Sequence, residues 1–283
     1  MAPLDAPSSG LDLLATESAP VPTFSTGRAG RRIRWWRGVV LLLTAAYFLI
    51  PIYAGLRFSF QGVNGHFSLS TLAELPKAQG FTAALWLSTR LAIATVIVAV
   101  VLMVPTTVYV HLRLPRLRRM MDIITVLPIV IPPIVLIAGV LAVAPLWLKA
   151  TPYLLSLMYV ILAMPFIYRS LDAGLLAIDL RTLSEASRSL GGRWYSTLIR
   201  VVLPNIRPAI ISAAVLTLAM VFGEYTMASL DLWTTVPVWI VQFNGAANGH
   251  IQIAAAMAGL VVTWVVLTVI VSLDRSQRRR ARG

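Results

Sequence analysis

Apolar residues come in blocks along this chain, and the polar residues are collected between the blocks. The runs Gly38–Leu56, Leu91–Val110, Ile123–Leu146, Tyr153–Tyr168, Ala209–Leu230 and Ile251–Leu273 carry almost no charge. A helix rises 1.5 Å per residue, so a run of about 20 residues crosses the roughly 30 Å of hydrocarbon in a bilayer. The pattern predicts an all-α membrane protein of six transmembrane helices, which puts both termini on one side. The third run contains Pro128, Pro132, Pro133 and Pro145, each of which removes a backbone donor and bends or interrupts a helix. In lipid such a break is tolerated only where protein or water meets the freed backbone groups.

Composition agrees with that pattern, since 58% of the 283 residues are hydrophobic and only 12% are charged, too few to clothe a soluble surface. The formal net charge of +13 is first a question of sidedness. With both termini inside, the inner segments hold five basic residues in the N-terminal arm, four between runs two and three, six between runs four and five, and five in the tail. The outer segments hold four: Arg57, Lys77, Arg90 and Lys149. The positive-inside rule therefore places both termini in the cytoplasm, and the basic clusters read as topology signals and headgroup contacts, with no nucleic acid implied. Residues 1–37 read as a disordered, Arg-rich tail, 38–273 as the six-span domain with a long inner loop at 171–207, and 274–283 as a basic cytoplasmic tail.

Candidate chemistry is sparse. The chain has no cysteine, and its two lysines, Lys77 and Lys149, lie in no phosphate-binding G-x-x-x-x-G-K-[ST] motif. His66, His111 and His250 sit near span ends or in loops without a second metal ligand, which favours surface or interfacial roles. Ser156, Ser212 and Ser272 lie in or near spans, but no mid-span histidine is there to activate them as nucleophiles. Glu224 is the one acid well inside an apolar run, where an unpartnered carboxylate costs about 2.5 to 3.5 kcal/mol. It either lines a pathway or locks two spans together. The methionines Met103, Met158, Met164, Met220 and Met227 read as packing residues, and Trp86, Trp147, Trp233, Tyr109 and Tyr168 as an aromatic belt at the span ends.

The inner loop is the most informative segment. Thr182 followed by Glu185 fits a capping box that starts a short helix, and Gly191 with Gly192 ends it. Trp194, Leu198 and Val201 then recur at helical spacing, with Tyr195, Ile199 and Val202 beside them, until Pro204 stops a second amphipathic helix.

These residues carry a family resemblance. Permeases of binding-protein-dependent ATP-binding-cassette importers share the pattern E-A-A, three residues, G, nine residues, I, one residue, L-P. This chain has Glu185, Ala186, Ser187, then Gly191, then Val201, then Leu203 and Pro204 at the same spacings, with serine and valine in place of alanine and isoleucine. The resemblance covers roughly residues 85 to 273 and implies a type I importer fold in a bacterial inner membrane. It also implies a second permease subunit, identical or different, a separate ATPase subunit that binds the ATP and Mg, and an extracytoplasmic solute-binding protein. The chain would then be a transport subunit and not an enzyme, binding no cofactor itself, with Glu185, Ala186, Ser187, Gly191, Val201, Leu203 and Pro204 forming the ATPase-coupling loop. The segments LPIVIPPIV and FGEY are similar to the branch that imports polyamines, ferric iron, thiamine, sulfate or phosphonates, and a polyamine is the expected example of a substrate. Glu224, Tyr225, Pro132 and Pro133 are the pathway candidates on that reading. The alternative is a proton-coupled secondary transporter that uses Glu224 as its proton site.

Overall fold

The computed structural model describes residues 35–60, 73–243 and 249–280. Expectations that fall on 1–34, 61–72 (His66 among them), 244–248 and 281–283 lie outside the described residues. The chain divides into two compact units, Met1–Ile50 and Pro51–Gly283. The described part of the first is apolar helix: α1 runs Trp35–Ser59, so Trp35, Trp36 and Arg37 are helical and not part of a disordered tail.

In the second unit, α2 (Phe81–Arg113), α6 (Tyr153–Leu176) and α9 (Arg207–Gly223) pack side by side as the central bundle. α6 is the most enclosed, with 61% of its apolar window buried against 44% for α2. Its fully buried side chains include Leu155, Tyr159, Ala163, Tyr168 and Leu171. Tyr168 is thus a core residue and no member of an aromatic belt. Met103, Met158 and Met227 are buried as packing residues. Where α6 crosses α9 the backbones approach closely: a Cβ on Gly174 would fall 2.4 Å from that of Ala209, and Ser170 Oγ donates to the Ala209 carbonyl at 2.8 Å. Small residues at such crossings let two helices in lipid touch along their backbones.

The fourth apolar run was expected to end at Tyr168, but α6 continues to Leu176. Its extra turns carry Arg169 and Asp172, and the helix persists because both charges are partnered, Arg169 by Asp122 at 3.3 Å and Asp172 by His111 and Arg118. Residues 171–176 accordingly belong to a span and not to the loop.

Two helices are broken. α3 (Arg118–Val130) and α4 (Pro133–Val143) meet at 94° across Ile131 and Pro132. A short α5 (Leu146–Lys149) follows. α9 ends at Gly223, and the chain resumes in α10 (Thr226–Leu230) after an extended Glu224. The fifth run, expected as one span to Leu230, is therefore interrupted. The far halves of the two broken helices, α4 and α10, pack on each other, with Ile137, Val221, Met227 and Ala228 in one cluster around Tyr159. α11 (Val236–Gln242) and α12 (Gly249–Arg280) complete the chain, and α12 carries its helix through most of the basic tail.

Among the described residues three helices, α1, α2 and α6, are long and apolar enough to cross a membrane, and counting two bent pairs, α3 with α4 and the helix at Trp194–Asn205 with α9, as one span each brings the number to five. The apolar part of α12, Gly249–Val265, is shorter. Of the six spans expected from the pattern, the described helices account for three to five.

Candidate coupling loop and broken-helix site

Between α6 and α9 the chain forms two short helices. α7 spans Leu180–Ser189 and α8 spans Trp194–Asn205. The cap of α7 is Asp179 and not Thr182: its carboxylate accepts from the Thr182 amide at 3.1 Å and from the Thr182 hydroxyl at 2.8 Å. An aspartate at the cap position out-competes the capping box three residues later, because it stands one turn earlier and reaches two donors of the first turn. Those hydrogen bonds hold the Asp179 carboxyl below the usual aspartate range. Glu185, freed from that role, instead faces Arg181 at 3.2 Å on the exposed side of the helix.

The turn between α7 and α8 is dictated by two glycines for different reasons. Gly191 has φ +80°, the left-handed region, and its amide donates to the Arg188 carbonyl at 2.8 Å. Gly192 donates to the Ser187 carbonyl at 2.8 Å, and a Cβ there would fall 2.7 Å from that same oxygen. The pair of bonds closes a Schellman cap. Ser187, where the family pattern has alanine, uses its hydroxyl across the turn: its Oγ lies 2.8 Å from Thr197 Oγ1 and ties α7 to α8.

α8 is amphipathic as its spacing predicts. Leu198 and Val202 are buried, while Tyr195 and Ile199 are exposed. It is not stopped at Pro204 but ends at Asn205, with a π-helical turn over Leu198–Val202 and a 77° bend into α9. Pro204 supplies no amide to the turn before it, and the wider π turn absorbs that loss. Leu180, Leu198, Val202 and Ile206 join Val104, Val108, Ile167, Leu171 and Leu175 in one cluster, which seats the loop on the ends of α2 and α6. Trp194 meets Tyr109 edge to face at 5.8 Å. The opposite surface is open: Leu190 is 89% exposed and Tyr195 74%, with Glu185, Ala186, Gly191 and Pro204 exposed and Ser187, Val201 and Leu203 half-buried.

The pathway candidates are split by the fold. Glu224 is buried, and its carboxylate accepts from Tyr159 Oη at 3.1 Å, from the Met227 amide at 2.8 Å and from the Ala228 amide at 3.4 Å. It caps α10 and pins the break to α6. Tyr225 is 40% exposed, Pro132 is exposed and Pro133 is half-buried, so these three do not share the Glu224 environment. Ser156, weighed above as a nucleophile, is buried with its Oγ 3.0 Å from Thr95 Oγ1.

One group of residues was not singled out from the sequence. Below the loop, Asp172 on α6 meets Arg118 on α3 through two bonds, Nε to Oδ1 at 2.9 Å and Nη2 to Oδ2 at 3.0 Å. It also meets His111 on α2 at 2.8 Å. His111, expected at a surface, has a side chain only 7% exposed. The available signal was Asp172 itself, an acid in a segment otherwise rich in arginine.

Comparison with known proteins joins these features. Residues 103–283 match the family of binding-protein-dependent transport system inner membrane components. A probable molybdenum ABC transporter permease protein of Haloferax volcanii is 28% identical over 248 residues, covering 82% of this chain and 89% of its own length. A putative 2-aminoethylphosphonate transport system permease protein of Salmonella paratyphi A is 27% identical over 170 residues, 58% of this chain and 63% of that one. A probable sulfate transport system permease protein of Prototheca wickerhamii is 28% identical over 127 residues, 44% and 49% of the two chains. The family match takes in α6 to α12 whole, the loop and both broken helices, and with it the proton-driven alternative gives way. The chain belongs to the binding-protein-dependent transport system inner membrane components, as a multi-pass permease of an ABC importer.

Proposed function

We propose that this permease imports a small oxyanion, of the molybdate, sulfate or phosphonate kind, with energy from a separate ATPase that docks on the loop between α6 and α9. The observation that carries the coupling half is the open face of the loop. A helix capped at both ends and seated on α2 and α6 presents Leu190 and Tyr195 outward, which is the form of a rigid plug for a protein groove. The chain lacks a phosphate-binding lysine motif, so ATP and Mg reside on the partner, and the loop passes the partner's movement to the spans. A second permease completes the pathway, and a solute-binding protein delivers the cargo on the opposite side. The arginine distribution supports a cytoplasmic side for the loop and both termini.

An oxyanion replaces the polyamine expected from the sequence. The relatives carry molybdenum, 2-aminoethylphosphonate and sulfate in their names, and none carries a polyamine. Glu224, one of the pathway candidates, spends its acceptors on Tyr159 and two amides and has little left for a cation.

The test is purification of the tagged chain from its host in mild detergent, with mass spectrometry of what remains bound, followed by uptake into proteoliposomes. Expected are a P-loop ATPase and ATP-dependent uptake of labelled molybdate or sulfate that spermidine does not compete. Recovery of the chain alone, active without ATP, overturns the coupling reading, and spermidine uptake overturns the oxyanion reading.

A further inference from the structure

His111 is held on both sides of its ring. Its Nδ1 lies 2.8 Å from the Thr107 carbonyl and its Nε2 lies 2.8 Å from Asp172 Oδ1. Arg118 grips both oxygens of the same carboxylate. Asp172 therefore stands between Arg118 and His111.

The placement gives this arrangement a consequence. His111 ends α2, Arg118 begins α3, and Asp172 lies seven residues before Asp179, the cap of α7. Tyr168 Oη adds a bond to the Arg118 carbonyl at 3.2 Å. The joint is enclosed, with side-chain exposure of 7% for His111 and 11% for Asp172.

We propose that Asp172, with His111 and Arg118, is a polar clasp that makes the loop ends of α2, α3 and α6 move as one body when the loop is displaced. These are positioning residues that touch no substrate. The inference rests on the proposed ATPase coupling and adds how its movement is divided among the spans. α2 and α6 already share an apolar cluster, and a two-bond guanidinium–carboxylate pair fixes direction as well as distance where α3 joins them, beside the Arg169–Asp122 pair and the Tyr168 bond.

The test uses the whole transporter, the permease with its ATPase and binding protein, in nanodiscs. Asp172→Asn keeps the shape but loses the charge-assisted bonds to both partners. It should leave ATP hydrolysis within about twofold of wild type and lower uptake per ATP on the order of tenfold, the scale of one lost charge-assisted bond. Asp172→Glu keeps the carboxylate and should recover part of that loss, which a purely space-filling residue would not do. Wild-type coupling in Asp172→Asn, or an equal loss in Asp172→Asn and Asp172→Glu, overturns the clasp. If the wild-type complex shows no ATP-dependent uptake, the proposed function falls, while hydrogen exchange at the loop ends of α2 and α3 in Asp172→Asn against wild type still reads the clasp.

Discussion

The two broken helices are interrupted by opposite chemistry. At the α3/α4 break the chain turns because donors are missing: Pro132 and Pro133 have no amide hydrogen, and the Pro132 carbonyl accepts from Val135 and Leu136 to start α4. No side chain caps that helix. At the α9/α10 break the donors are present, and a buried carboxylate collects them. The first break is written into the covalent backbone and needs no side-chain cap. The second exists only while Glu224, Tyr159 and the amides of Met227 and Ala228 stay in register. A proline break is the more robust, and a carboxylate break the more responsive to what packs beside it.

The comparison can be broken at the carboxylate. Glu224→Ala orphans two amides and a hydroxyl in the interior, at about 1 to 3 kcal/mol each before any relaxation, so a total near 3 kcal/mol is expected and a large fall in the detergent melting temperature should be seen. The α7–α8 turn supplies a third way of reversing the chain, by absence of a side chain. Gly192→Ala drives a Cβ against the Ser187 carbonyl, and about 2 kcal/mol of loop distortion should appear as lost uptake at normal insertion. Tyr159→Phe removes one bond to Glu224 and should cost about 1 kcal/mol in thermal stability. Pro132→Ala sharpens the contrast, since it orphans nothing and should shift stability by less than about 1 kcal/mol. A loss as large as that of Glu224→Ala would show that the two breaks are alike after all. The smallest effect belongs to Asp179, on the open loop. Its lowered carboxyl stabilises α7 above the ordinary aspartate range, and that contribution is lost as pH falls through its folded value. Asp179→Asn should flatten that acid limb in a hydrogen-exchange profile of the Thr182 amide, with little change at neutral pH.

Much of this was legible in the chain. Hydrophobic runs located α1, α2 and the first part of α6, because transfer into lipid is a property of composition over about 20 residues. The spacing from Glu185 to Pro204 announced the loop, and Gly191 sits at positive φ as a helix stop should. Contacts between distant residues were the hidden part. Asp172 looks like an ordinary loop acid until His111 and Arg118, 61 and 54 residues away, are brought to it. For the same reason the fourth run was cut too short at Tyr168. Glu224 was recognisable as exceptional, but its partners are amides three and four residues on and a hydroxyl 65 residues back, which no hydropathy pattern encodes.

The unbroken length of α6 has a mechanical corollary. It is a single strut of 24 residues, about 36 Å long, with one end at the root of the loop. The helices on either side of it, α3/α4 and α9/α10, each carry a joint partway along. The strut is continuous where its neighbours are jointed, so hinge points in this part of the fold lie beside it and not within it. Both joints lead to the contact between α4 and α10, at a distance from the root of the loop.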